Sequence, residues 1–471
     1  MHVRLEKRGD KFMSDQKSSI HTRHIAITAF AVLFIALFFQ VPQAAAVPSY
    51  ARQTGFPCKS CHMTPPELTA LGRAFKLNGY TMSAKPAVTS KGTKNQSGLD
   101  ILESFPLSVM IDIGYSATKS PLPNGQNGDF QVPEDASLFL AGAWAKHVGS
   151  FVQVTYSSQD DHFTWDNTDI RYANSTKLFH KDLVYGITLN NSPTVEDLWN
   201  STPAWGFPWV ESSSAPTPSA AALINGTLAQ DVAGIGGYGM WNNHLYLAGT
   251  IYRSQHIGNP LPNTGECCSY NIRGVAPYWR VAWQETSTNN YLEVGSYGMH
   301  VKSTPNGITG FDGNFDSFTD WAFDFQYDRT LPRLRGDILS FRGSYIRENS
   351  SLLATYNSEG ADLVRHHLNT VQANAEYHFG DRYSALIGFF NIDGTPDAGL
   401  FPANPVDGSA NGDPRSNGYI MNLSWWPVQN IQFSFQYTGY LRFNGAGINY
   451  DGSGRTAGAN DTAYLVGRFV F

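Results

Sequence analysis

Cys58-Lys59-Ser60-Cys61-His62 is the stretch of this 471-residue chain where reactive side chains fall at a spacing tied to a definite chemistry. Two thiols one helical turn apart can bond the vinyl groups of a porphyrin, and the adjacent imidazole can ligate the iron from one face. The C-x-x-C-H pattern therefore predicts one covalent haem c, with Cys58 and Cys61 as thioether sites and His62 as proximal ligand. Two other readings use the same residues: a periplasmic dithiol beside an incidental histidine, or half a zinc site lacking its second ligand pair.

The elements that must position these groups are short. Thr64-Pro65-Pro66-Glu67 reads as a helix start, with Thr64 as N-cap, Pro65 at the first helical position and Glu67 closing a capping box. Leu68, Leu71 and Phe75 would then share one face, and Asn78-Gly79 would end the helix. Residues 47–82 are too few to bury a core unaided, so the haem and the walls of something larger must complete it. Upstream, Arg4, Lys7, Arg8, Lys11, Lys17 and Arg23 precede the apolar run Ile25 to Phe39 and the small-residue site Ala44-Ala45-Ala46. That is the layout of a secretory signal peptide over 1–46; a membrane anchor is the alternative, for which the apolar run is short. Residues 83–98 are rich in Ser, Lys, Gly and Pro without periodicity and read as a linker.

From residue 99 onward the pattern has period two. Leu107, Val109, Ile111, Ile113 and Tyr115 alternate with Ser108, Met110, Asp112 and Gly114, giving a strand with an apolar and a polar side. The same template recurs to the end of the chain and predicts sixteen strands. With 15% charged and 13% aromatic residues, 44 glycines and no later apolar run long enough for a membrane helix, the composition suits a membrane β-barrel. Links between strands alternate between long, such as Thr118-Asp135, Asn191-Leu228 and Gly394-Ser416, and short, such as Val148-Gly149, Asn242-Asn243 and Gly380-Arg382. Outer-membrane barrels have short periplasmic turns, long external loops and an even strand number. Ala463, Leu465, Gly467, Phe469 and Phe471 alternate outward, and a final aromatic resembles the sorting signal of such barrels. A soluble propeller or sandwich would not need the alternation of links.

The expected fold is thus all-β: a 16-stranded outer-membrane β-barrel over 99–471, carrying a small N-terminal α-helical c-type haem segment inside its lumen. The stretch 51–82, ARQTGFPCKSCHMTPPELTALGRAFKLNGYTM, followed by a porin-like barrel, resembles the fused monohaem cytochrome–porins of iron-oxidising bacteria. The stretch 190–209, NNSPTVEDLWNSTPAWGFPW, is similar to members of the same family. That resemblance implies an outer-membrane electron-transfer protein of a Gram-negative bacterium that takes electrons from an extracellular donor, Fe(II), and passes them to a periplasmic cytochrome c. Two rivals stand beside it: a diffusion porin with an accessory haem segment, and a haem enzyme with an open sixth coordination position.

The distal ligand does not follow from the motif. Met82, just beyond the predicted helix, is the first candidate, because a thioether raises the reduction potential. Met110, on the polar face of the first strand, is the second; Met63 is too close to His62 to reach the opposite face. A water or an open position is the remaining option. Elsewhere, Cys267 and Cys268 read as loop thiols, since a disulfide between neighbours would be strained. His366, His367 and Asp362 could bind a surface metal but read more simply as solvated loop-end groups. Trp321, Trp425, Trp426, Tyr437 and Tyr440 read as interfacial girdle, and Asp112, Asp324 and Glu376 as lining of a wet channel. Removing the first 46 residues takes the net charge from −6 to −9, with 27 Lys and Arg against 36 Asp and Glu, and suggests no nucleic-acid partner.

Overall fold

The computed structural model describes residues 49–65, 67–81, 106–123, 127–159, 161–200, 212–228, 232–254, 271–304, 314–334 and 336–471. The predicted signal peptide, the linker, Met82, Cys267 and Cys268 lie outside the described residues.

Alternating sequence becomes strand because an extended chain sends successive side chains to opposite faces. The barrel strands are β1 (Leu107–Thr118), β2 (Asp129–Ala145), β3 (Val148–Ser157), β4 (His162–Leu178), β5 (Lys181–Asn190), β6 (Val232–Trp241), β7 (Leu245–Ser254) and β8 (Ala276–Thr286). They continue as β9 (Asn290–Thr304), β10 (Asp316–Leu331), β11 (Asp337–Leu352), β12 (Arg365–Phe379), β13 (Tyr383–Gly394), β14 (Ser416–Val428), β15 (Ile431–Arg442) and β16 (Thr462–Val470). A two-residue piece, Asn271–Ile272, also pairs with β9. Each strand is antiparallel to the next, and β1 pairs with both β2 and β16, through Ile111 with Ala136 and Ile111 with Phe469. The sheet closes on itself as a barrel of sixteen strands and leaves no edge to aggregate.

The two faces differ in chemistry. Outward positions carry Ile235, Leu247, Ile251, Val294, Phe323, Ile387, Phe389, Leu423 and Leu465, all exposed on the outer wall. Inward positions carry Ser, Thr, Asn, Gln, Tyr and charged groups that are buried. An apolar exterior around a polar interior is what a strand structure needs to cross hydrocarbon with every backbone group paired. No described helix is long and apolar enough to cross a membrane.

Three expectations need correction. The alternation of links is broken between β3 and β4, joined by only four residues, 158–161, because both strands continue far towards that end. The girdle loses Trp426 and Tyr440, which are buried on the inner face; Trp425 and Trp426 are neighbours, so period two lets only one of them face outward. Tyr440 Oη donates to the Pro216 carbonyl (3.1 Å). Finally, the described part of the Asn191–Leu228 link does not stand outside the barrel. Leu198, Trp199, Leu223, Ile224 and Leu228 are buried, and the Leu223 and Ile224 N–H groups donate to inward-facing Glu348 (2.7 Å) and Asp320 (2.8 Å). Its apolar side chains are sheltered by folding into the lumen.

Candidate functional site

The N-terminal segment holds three short helices: α1 (Ser49–Thr54), α2 (Cys58–Cys61) and α3 (Ala70–Leu77). The expected single helix from Thr64 is not formed. Thr69 caps α3, its hydroxyl accepting from the Gly72 N–H (3.2 Å), and Asn78 ends it, with Gly79 at φ +67°. Thr64 and Glu67, read as a capping box, are used against the barrel wall. Thr64 Oγ1 donates to Glu376, and Glu67 forms a buried ion pair with Arg342. Between them the chain doubles back, with Thr69 N–H donating to the Cys61 carbonyl (3.0 Å) and His62 bridged to Leu68. The turn lays α3 against α2.

Gly72 makes that contact possible. A β-carbon there would stand 2.1 Å from the Cys61 carbonyl oxygen, so only glycine fits without moving backbone.

The segment is tied to inward-facing groups around the barrel. Ser49 Oγ donates to the Ala141 carbonyl (2.6 Å) on β2, Tyr80 Oη to Asp169 (2.5 Å) on β4, and Tyr238 Oη on β6 to the Leu77 carbonyl (3.0 Å). Arg73 lies over the Tyr291 ring of β9 (3.9 Å), and Lys59 over the Trp426 ring of β14 (4.7 Å). Apart from Asp169, near the middle of β4, these partners fall on the halves of their strands nearer the short turns, so most of the segment's anchors lie in that half of the lumen.

Between the segment and the wall lies one cleft. Cys58, Cys61 and His62 line it together with Leu68, Leu71 and Phe75, the apolar face read from sequence, and with Phe151 and Val195 from the barrel side. Tyr50 and Tyr80 stack at 5.8 Å and flank Phe75, fixing the back of the cleft. Burial raises the Cys58 thiol, and burial with the neighbouring Cys58 pushes Cys61 up to about 11. A redox-active C-x-x-C pair needs a lowered thiol pKa, so this environment argues against a dithiol oxidoreductase. Burial lowers His62 to about 4 and keeps the ring neutral, the form that ligates a metal; its Nδ1 is buried without a hydrogen-bond partner. Two neutral thiols one turn apart, a neutral imidazole with an unused ring nitrogen and apolar walls fit a c-type haem better than a hydrated ion.

Other candidate residues fall elsewhere. Met63 is buried, with its sulfur facing Arg342 (3.7 Å) on β11. Met110 is on the inner face of β1 but does not line the cleft. His366 bonds to Asp397 (2.7 Å) and His367 to Thr395 (2.8 Å), while Asp362 accepts from the Gly399 N–H, so these three latch a loop. Asp112, Asp324 and Glu376 do not line open water. Each is buried and engaged, by Arg468, Arg280 and Thr64 respectively. Of the cleft residues that sequence reasoning missed, Lys76 lies on α3 itself, while Phe151, Asn167, Val195 and Asn200 come from distant stretches. Lys76 is the most unusual of them: it donates to the Asp197 carbonyl (2.6 Å), and burial, then the like charge of Arg171, lowers it to about 7.

The inward link adds further buried groups within the lumen. It adds α4 (Pro193–Glu196) beside the cleft. Arg280 is 1% exposed between Asp197 (3.4 Å), Glu293 (3.2 Å) and Asp324 (2.6 Å), and Arg171 is fully buried against Asp169 (2.7 Å). No protein-family profile and no curated protein matches the sequence. Solved structures similar to the chain include OmpT, an outer membrane protein of Vibrio cholerae, at 8% identity and TM-score 0.40, over 78% of this chain and 96% of that one. The outer membrane channel DcaP of Acinetobacter baumannii matches at 10% identity and TM-score 0.45, over 78% and 96%. An anion-selective porin from Comamonas acidovorans matches at 12% identity and TM-score 0.44, over 78% and 98%.

Proposed function

We propose that the protein is an outer-membrane electron-transfer cytochrome, of the kind in which a monohaem segment is fused to a porin-like barrel. The observation that carries this reading is the shared cleft of Cys58, Cys61 and His62 against the inner wall of the barrel. Cys58 and Cys61 would hold haem c through thioether bonds and His62 would supply the proximal nitrogen; Met82 is the proposed distal ligand. When bound, haem supplies a one-electron couple whose potential a Met ligand raises. The chain's own residues exclude water from it through Leu68, Leu71 and Phe75, and fix its position through the Tyr50, Phe75 and Tyr80 aromatic set.

An insulating hydrocarbon band separates an external donor from any acceptor inside, and a redox centre held within the barrel divides that distance. The long-loop end carries an excess of carboxylates, among them exposed Asp161, Glu359, Asp362 and Asp407, which favours approach of a cation such as Fe(II). A porin reading has one point in its favour, since sixteen strands are enough to enclose an aqueous channel. Against it, Arg171 and Arg280 are shut off from solvent where such a channel would run.

The decisive experiment mixes purified, oxidised protein with Fe(II) under anaerobic conditions and follows the reduced haem spectrum. Reduction with one haem per chain is expected; protein that carries haem but is not reduced at any pH would remove the assignment of donor. A second expected result concerns Gly72→Ala. Its β-carbon must push the Cys61 carbonyl away, costing about 1–3 kcal/mol of packing. Haem per barrel should fall while the amount of folded barrel stays constant, as read by haem-stained gels beside heat-modifiable mobility.

A further inference from the structure

We infer that the short-turn mouth of the barrel is a docking surface for a soluble redox protein with an acidic face, centred on Phe56 and Pro57. The inference rests on the electron-transfer reading and names its partner's chemistry. Phe56 and Pro57, immediately before Cys58, are exposed, and Phe56 also lines the cleft, so this dipeptide is where the cleft reaches the surface. Two cations bracket it in sequence and mark its place at the rim. Arg52 donates to the carbonyl of Leu107, the first residue of β1, and Lys59 lies over Trp426, two residues from the end of β14.

The rim itself is basic although the chain as a whole is acidic. Exposed Lys146, Lys181, Arg329, Arg333 and Arg382 stand on or beside the short turns. The carboxylates at that end are fewer and partly engaged: Asp182 with Lys177 (3.9 Å), Glu285 with His244 (3.3 Å), and Asp337 accepting from Tyr377 (2.8 Å) and the Gly380 N–H (2.7 Å), with Asp381 exposed beside Arg382. At the opposite end carboxylates predominate. The two mouths thus carry opposite fields, and a partner with an acidic face would be drawn to the basic one.

A small apolar centre within a ring of one charge suits a short-lived complex. Redox encounters bury little area, and rim charges act chiefly on the rate of encounter. In such a complex one electron leaves the reduced protein and one enters the oxidised partner, with no bond made or broken.

The test uses the full-length protein in detergent and two soluble c-type cytochromes as probes, one acidic and one basic, with binding measured directly by surface plasmon resonance. The acidic probe should bind and the basic one should not, and affinity should fall as salt rises. Combined Lys146→Glu, Arg333→Glu and Arg382→Glu substitutions, all at exposed turn positions, should weaken acidic-probe binding by roughly tenfold at low salt. Preference for the basic probe, or affinity for the acidic probe untouched by the triple substitution, would overturn the inference. So would a triple variant whose only change is weaker adsorption to anionic vesicles, since the cations would then serve lipid headgroups, or one whose only change is loss of self-association. Haem content is measured on the same samples: haem without acidic-probe binding defeats the surface alone, whereas binding by protein that never acquires haem defeats the electron-transfer reading and leaves the surface standing.

Discussion

Replacing Cys58 and Cys61 together by alanine should remove all denaturation-resistant haem and leave the barrel inserted. Thioether bonds at these positions would have no substitute, because Cys267 and Cys268 are remote in sequence and the cleft holds no other thiol. The barrel is independent of them, since its closure uses backbone pairs between strands, from Met110 with Val470 through Thr118 with Thr462 at the seam. Haem-stained denaturing gels read the first part and heat-modifiable mobility the second. The effect is all or none. Haem that survives denaturation in the double variant would end the haem c reading outright.

Arg280→Ala should have the next largest effect, on stability and on conductance together. The Arg280 guanidinium is 1% exposed, lies within 3.4 Å of carboxylate oxygens on Asp197, Glu293 and Asp324, and stacks over Trp199 (4.8 Å) and Tyr297 (5.1 Å). Removing it leaves three buried carboxylates without their cation, which costs about 3–5 kcal/mol. Asp197 belongs to the inward link, so the strain is relieved most easily by releasing that link from the wall. Wild-type protein in planar bilayers should show little conductance; the Arg280→Ala variant should open flickering channels and unfold at lower temperature. Large steady conductance from the wild type would instead favour the diffusion porin.

Local chemistry in this chain was legible without coordinates. Cys58, Cys61 and His62 are consecutive enough that one helical turn sets their relation, and the strands follow from a period of two that backbone geometry imposes on every extended segment. Except between β3 and β4, the long and short links mark the two ends of the barrel, because a turn between antiparallel neighbours needs few residues. Two of the misjudgements were competitions between a local and a distant partner. Thr64 and Glu67 have the spacing of a helix cap, yet Glu376 and Arg342, about three hundred residues away, take both side chains, and the cap passes to Thr69. Asn191–Leu228 has the length of an external loop, but Leu198, Trp199, Leu223 and Ile224 make exposure costly, and inward-facing Asp320 and Glu348 satisfy its N–H groups. Those apolar residues were the available signal. The sequence by itself determined a C-x-x-C-H motif and an alternating barrel, because each depends on neighbours within a few residues. Only the tertiary structure decided that the motif faces a cleft inside the lumen and that the described part of the 191–228 link packs into it. Both depend on side chains brought together by closure of the sheet, and closure has no signature in any single stretch of chain.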